Sequence, residues 1–199
     1  MSSRRNEIIQ ATLALAADNG LGTVSMQQIA DRVGITKASL YNHFSSREEI
    51  VEAMYEVLRD ASKKRADVGR IDYDGFTADR TIKEILTAAV DSYRNMVNDP
   101  QMYLFYKLIL SERSINRAAA EIMVKETKTM INATKSIFYA LQVKGMAEFG
   151  NVDVVAFSFA MAVHSILDYE FDLSYSGTTP NPAMMQNYID EFCRIYGKE

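Results

Sequence analysis

The chain has 199 residues, 48% of them hydrophobic and 24% charged, and a formal net charge of −4. That balance supports a packed core in one or two domains over a disordered tail, and it excludes a bulk polycation that coats nucleic acid without selectivity, so any DNA contact has to be local. A single cysteine, Cys193, excludes an intrachain disulfide and a cysteine metal cage.

Residues 4–18 predict a helix. Ile8, Ala11, Thr12 and Leu15 share a face that Ile9, Leu13 and Ala16 widen, and Asn19-Gly20 supplies the stop. Arg4 and Arg5 stand at its start, off the apolar face, and read either as solvated side chains or as an arm touching phosphate. Ser25 and Gln28 then have the spacing of a capping box, with Val24 and Ile29 placed as a hydrophobic staple. Met26, Ile29, Ala30 and Val33 form one apolar face, and Gly34 suits the left-handed residue that ends such a helix. Thr36 is placed to cap a second helix over 37–43, of which only Leu40 and Phe44 face a core. Lys37, Ser39, Tyr41, Asn42 and His43 leave the rest of it polar and rich in donors. Ser46 and Glu49 repeat the capping-box spacing at the start of a third helix from Arg47. Two short helices on a tight turn, the second exposed and polar, make helix-turn-helix geometry, whose second helix fits the DNA major groove.

From Arg47 onward Ile50, Met54, Val57, Leu58 and Ala61 form a stripe, and residues 67–79, with Gly69 and Gly75 among Asp and Tyr, read as a linker loop. Thr81 and Glu84 offer another capping box, ahead of Ile82, Ile85, Leu86, Ala89, Tyr93 and Met96 on one helical face. Asp99-Pro100 stops that run and restarts a short helix over 102–110 that is apolar almost all round. Ser114 opens a long pattern through Ile122, Met123, Met130, Ile137, Phe138 and Leu141, closed by Gly145. Residues 151–173 make a further long helix through Val155, Phe159, Val163 and Ile166. After a loop over 174–182, Asn181 caps and Pro182 starts the last helix, with Met185, Tyr188, Ile189, Phe192 and Ile195 as its stripe. No strand pattern competes, so the expected class is all-α.

The run IADRVGITKASLYNHFSSREEI, ending at Ile50, closely resembles the signature of the TetR family of transcriptional regulators, with Leu40, Tyr41, His43 and Phe44 matching its most recognisable element. The resemblance covers the first quarter of the chain. Ala38 departs from it, standing where many relatives have glycine, although a small residue still permits close approach to DNA backbone. It implies an N-terminal three-helix bundle with a helix-turn-helix at 1–47, and a C-terminal helical ligand-binding and dimerisation domain at 48–199. On that reading Thr36, Lys37, Ser39, Tyr41, Asn42 and His43 contact a double-stranded DNA operator, with Ser25 and Arg47 beside them. Lys37 suits a guanine edge or a phosphate, Tyr41 a thymine methyl or the backbone, His43 a phosphate and Asn42 an adenine; Thr36 brings a hydroxyl and free N–H groups to a phosphate.

The resemblance also implies a homodimer through the helices of residues 151–173 and 182–196, consistent with helices too apolar for one chain to cover. It further implies a small-molecule effector in the C-terminal domain, where Tyr93, Met96, Tyr103, Tyr106, Met123, Phe138, Met161 and His164 are the candidate lining. These residue types suit an apolar or aromatic molecule. His164 and Asp168 form an i, i+4 pair, too few for a metal site, and no metal or cofactor is expected. The helix from Arg47 is the covalent route from effector to head, and its tilt is the expected switch. Two histidines, no nucleophile motif and no phosphate loop argue against an enzyme. A rival reading is a DNA-binding protein of the same kind that works structurally or with a protein partner and has no small-molecule switch. The start of the chain lacks the apolar run of a signal peptide, and the longest apolar stretch, 154–167, is short for a bilayer, so a cytoplasmic protein without a membrane segment is expected.

Overall fold

In the computed structural model, which describes residues 3–65 and 79–198, every regular element is helical. The elements are α1 (Ser3–Asn19), a short 3-10 turn (Leu21–Thr23), α2 (Met26–Val33), α3 (Lys37–Tyr41), α4 (Arg47–Arg65), α5 (Ile82–Val97), α6 (Pro100–Glu112), α7 (Arg117–Val143), α8 (Val152–Tyr175) and α9 (Ala183–Tyr196). Most of the expected linker, 67–79, lies outside the described residues; Asp79, at its end, has φ 54°.

The described residues form two compact units. The first joins residues 3–65 with Met96–Glu126. Its core takes Ile8, Ile9, Leu13 and Ala16 from α1, Ile29 and Ala30 from α2, Leu40 and Phe44 from α3 and the turn after it, and Ile50, Val51, Met54, Tyr55 and Leu58 from α4. Met102, Phe105, Leu108 and Ile109 of α6 complete it, and α6 packs on α1, α4 and the Leu21–Thr23 turn. These packing units interleave along the chain, whereas the expected domains, 1–47 and 48–199, are contiguous.

Local signals place the ends of the helices. Ser25 Oγ accepts from the Gln28 N–H at 3.3 Å while Gln28 Oε1 accepts from the Ser25 N–H at 2.8 Å, so the capping box is complete. Gly34 closes α2 at φ 75°. At α4 the box is only half made: Ser46 Oγ accepts from the Glu49 N–H at 3.1 Å, but the Glu49 carboxylate turns to the Ser45 N–H and hydroxyl, at 2.7 and 2.8 Å. The second helix of the pair ends at Tyr41, two residues short of expectation, because Asn42 and His43 turn back on the Ser39 and Leu40 carbonyls. α7 starts at Arg117, not near Ser114, since Asn116 Oδ1 accepts from the Ala119 N–H at 3.3 Å.

The second unit comprises residues 79–95 and 127–198. Thr81 and Glu84 cap α5 reciprocally, at 2.8 and 3.2 Å. Phe138 of α7 lies within 5.4 Å, ring centre to ring centre, of Phe149, Phe159 and Phe192, and Phe159 meets Phe192 edge to face at 4.7 Å. Such pairs stabilise by about 0.5–1.5 kcal/mol each beyond the area they bury. The end of α9 is pinned to the turn after α7: Glu148 N–H donates to the Tyr196 carbonyl and Lys198 N–H to the Met146 carbonyl, both at 2.9 Å. Ile195, expected on the α9 stripe, is 56% exposed; Tyr196 takes its place, 4.7 Å from Phe192.

α8 carries the apolar stretch of residues 154–167 and extends it at both ends. The whole helix has 24 residues and is long and apolar enough to cross a bilayer by length and composition. Its Ala156, Phe159, Ala160, Val163 and His164 are nonetheless buried, a face a core helix presents.

Candidate nucleic-acid interface

Five residues are too few to hold a helix on their own, because nucleation fixes several dihedral angles for one hydrogen bond. α3 is therefore shaped by its surroundings. At its start the Thr36 hydroxyl donates to the Ser39 hydroxyl at 3.0 Å and accepts from the Ser39 N–H at 3.1 Å. Beneath it Leu40 and Phe44 are fully buried, each contributing roughly 1.5–3 kcal/mol of transfer free energy. At its end the Leu40 carbonyl accepts from the N–H groups of His43 at 2.9 Å and Phe44 at 3.1 Å.

What remains faces outward. Lys37, Ala38, Tyr41 and Asn42 are exposed, Tyr41 by 47%, and His43 is half-buried. The side chains of Lys37, Tyr41, Asn42 and His43 make no hydrogen bond or ion pair with the described residues. Lys37 and Tyr41, four apart, share one face. Thr36 and Ser39 stand beside them with hydroxyls already paired to each other.

Two of the expected contact residues are committed elsewhere. Ser25 spends its hydroxyl on Gln28, donating to Oε1 at 2.8 Å. Arg47 Nη1 donates to the carbonyls of Leu21 at 3.3 Å, Gly22 at 2.8 Å and Val24 at 3.4 Å, tying the start of α4 to the turn that precedes α2. Arg4 pairs with Glu7 at 2.6 Å on the surface. Arg5 is anchored rather than solvated: its guanidinium lies 3.8 Å from the Phe44 ring centre, donates to the His43 carbonyl and stands 3.5 Å from Glu49. The Ser45 N–H and hydroxyl, more than Arg5, hold the Glu49 carboxyl below the usual carboxylate range.

The eight candidate effector residues divide between the units. Met96, Tyr103, Tyr106 and Met123 belong to the first, where Met96 and Met123 are buried and Tyr103 is 37% exposed. Tyr93, Phe138, Met161 and His164 belong to the second, where Phe138 sits at the middle of the aromatic cluster. His164 Nε2 lies 3.7 Å from Asp168 Oδ2, beyond hydrogen-bond length, and among the described residues no three potential metal ligands cluster.

Sequence reading missed a buried polar cluster in the first unit. Glu126, fully buried, accepts from Arg59 Nη1 and from the Tyr55 hydroxyl, both at 2.6 Å, and Arg59 also reaches Met96 Sδ at 3.4 Å. Burial first, then the Glu126 charge, holds the Tyr55 phenol protonated far above its ordinary range. The one local hint was Arg59 four residues beyond Tyr55, on a helix whose neighbouring Leu58 is core.

Residues 8–54 match the family model described as bacterial regulatory proteins, tetR family. Over 59 residues the chain is 48% identical to the HTH-type transcriptional repressor KstR2 of Mycolicibacterium smegmatis, a match covering 30% of this chain and 27% of that protein. The similarity thus spans about a quarter of the length of the KstR2 relatives it matches. Over nearly the whole chain the fold resembles two solved structures. One is the SmeT–triclosan complex, with TM-score 0.74, 15% identity and coverage of 100% of this chain and 93% of that one. The other is the flavonoid-responsive regulator FrrA, with TM-score 0.74, 18% identity and 98% of each chain covered.

Proposed function

We propose that this chain, which belongs to the TetR family of transcriptional regulators, is a repressor that binds a palindromic DNA operator as a homodimer and is released by a small apolar or aromatic effector. The observation that carries the reading is the outward face of α3: Lys37, Tyr41, Asn42 and His43, unpaired among the described residues, stand over a fully buried Leu40 and Phe44. A helix seated on the core with its donors facing outward suits direct readout of base edges and phosphates. Within the reader, Lys37 and Tyr41 make the principal contacts, Asn42 and His43 flank them, and Thr36 and Ser39 fix the helix start. Ser25 and Arg47 serve by holding α2 and the turn before it, given where their side chains are spent.

The dimer reading is supported by α8. Val154 and Phe157 are 59% and 50% exposed and lie with Met161 at three- and four-residue steps, opposite the buried face. On α9, exposed Ile195 adds apolar surface. The contact runs through residues 151–173 and 182–196. For the effector, support comes from the candidate aromatic and methionine residues of 48–199, together with SmeT holding triclosan and FrrA responding to flavonoids. An event there reaches the head through α4, and in the first unit through α6 and the start of α7, which touch the head and α4 by Glu112 and Glu126. DNA binding at this scale suits a cytoplasmic regulator of −4 net charge whose affinity depends on two heads rather than bulk charge.

The test is selection of bound duplexes from a random DNA pool by the purified full-length chain, with sedimentation of free and bound protein. Enrichment of a palindrome with half-sites about one helical turn or a multiple apart, bound by an even number of chains, is expected. No enriched sequence would overturn the operator reading; a monomer on DNA would overturn the dimer. Binding at scattered sites that no effector releases would select a structural role without a small-molecule switch.

A further inference from the structure

We propose that Arg5 is a positioning residue for DNA reading: it holds the backbone at His43, and so the angle of α3, instead of contacting phosphate. The proposal rests on α3 being the reader. An arginine near the N-terminus of a DNA-binding head has an obvious alternative use, yet here both terminal nitrogens and the guanidinium face are engaged inside the protein. The guanidinium plane covers Phe44 at 3.8 Å, where cation–π attraction adds to packing. One terminal nitrogen donates to the His43 carbonyl and the other faces Glu49 at 3.5 Å. Glu49 in turn fixes Ser45 through both its N–H and its hydroxyl.

The location gives this anchoring its consequence. α3 has five residues and its last turn is closed by bonds to Leu40 and Ser39, after which the chain must turn into α4. Thr36 secures the start of the helix through Ser39. Arg5 secures its end, by bonding the carbonyl of the residue two beyond Tyr41 and stacking on the core ring beside it. Only a planar group with several donors in one fork can do both at once, so lysine cannot substitute although it keeps the charge.

Operator binding of Arg5→Ala and Arg5→Lys, measured across a salt series on the selected palindrome and on a scrambled duplex, separates the alternatives. Both variants are expected to bind the palindrome roughly tenfold or more weakly, the equivalent of one lost base contact, while scrambled DNA is bound as before. The slope of log affinity against log salt is expected to stay at the wild-type value, because no phosphate contact is lost. A slope reduced by about 1 in Arg5→Ala and restored with full affinity in Arg5→Lys would overturn the proposal and make Arg5 a phosphate contact. Amide hydrogen exchange without DNA supplies the independent readout: faster exchange at His43 and Phe44 in Arg5→Lys, beyond what any fall in melting temperature accounts for, is expected, and unchanged exchange there would overturn the positioning role. Should Lys37→Ala leave operator affinity intact, the reader assignment fails, and the exchange measurement still judges Arg5.

Discussion

The carboxylate of Glu112, at the end of α6, accepts a hydrogen bond from the backbone N–H of Gly22, in the turn before α2. Asn116 Nδ2 donates to the same carboxylate at 3.0 Å, and Glu112 is buried. The same turn gives its carbonyls to Arg47, so α4 and α6 grip it together. The covalent path through α4 is therefore accompanied by a non-covalent one. Replacing Glu112 by Ala removes the acceptor of the Gly22 N–H and of Asn116, and each lost bond costs about 0.5–1.5 kcal/mol. Urea unfolding should show that loss; a midpoint equal to wild type would mean that water serves the Gly22 N–H equally well.

Breaking the Arg59–Glu126 pair is expected to be more severe. Glu126→Ala leaves a buried guanidinium without its counter-charge, a loss of roughly 3–5 kcal/mol, whereas replacing both partners by apolar residues of similar volume is often neutral. Chemical denaturation of Glu126→Ala and of Arg59→Met/Glu126→Leu checks this. The double variant should be clearly more stable than the single and close to wild type; the reverse order would contradict the account by showing that an unpaired Arg59 is not the main cost.

At the other end of the chain, Gly197 closes α9 against the Met146–Glu148 segment. A Cβ there would stand 2.6 Å from the Cys193 carbonyl oxygen. Backbone cannot yield as a flexible side chain does, so Gly197→Ala should destabilise the second unit by about 1–3 kcal/mol. A thermal melt unchanged from wild type would mean that the end of α9 frays without consequence.

Acid should loosen the turn between α3 and α4. The Glu49 carboxyl is held below its ordinary range chiefly by the Ser45 N–H, then by the Ser45 hydroxyl, with Arg5 adding to it. A lowered folded-state value contributes stability that is present above the unfolded carboxyl pKa and is lost as pH falls through the folded one, so the window lies below about pH 5. Glu49→Gln should flatten that part of the stability profile. Identical acid limbs for variant and wild type would remove Glu49 from the account.

Legibility in the sequence followed distance along the chain. The caps at Ser25, Thr36 and Thr81 are readable because each joins residues no more than three apart. Leu40 and Phe44 were readable as core because their spacing follows the helical period. Arg5 with His43, Arg59 with Glu126 and Gly22 with Glu112 are separated by 38, 67 and 90 residues, and no local pattern announces such pairs. The same holds for the three carbonyl partners of Arg47, which lie in a turn 23 to 26 residues earlier.

The central claim, that the outward face of α3 reads DNA, is tested most directly by operator affinity of Lys37→Ala and Tyr41→Ala measured beside their melting temperatures. The account predicts a loss of about 1–3 kcal/mol in binding for each, with unchanged melting because neither side chain supports the core. Wild-type affinity in both variants would contradict it.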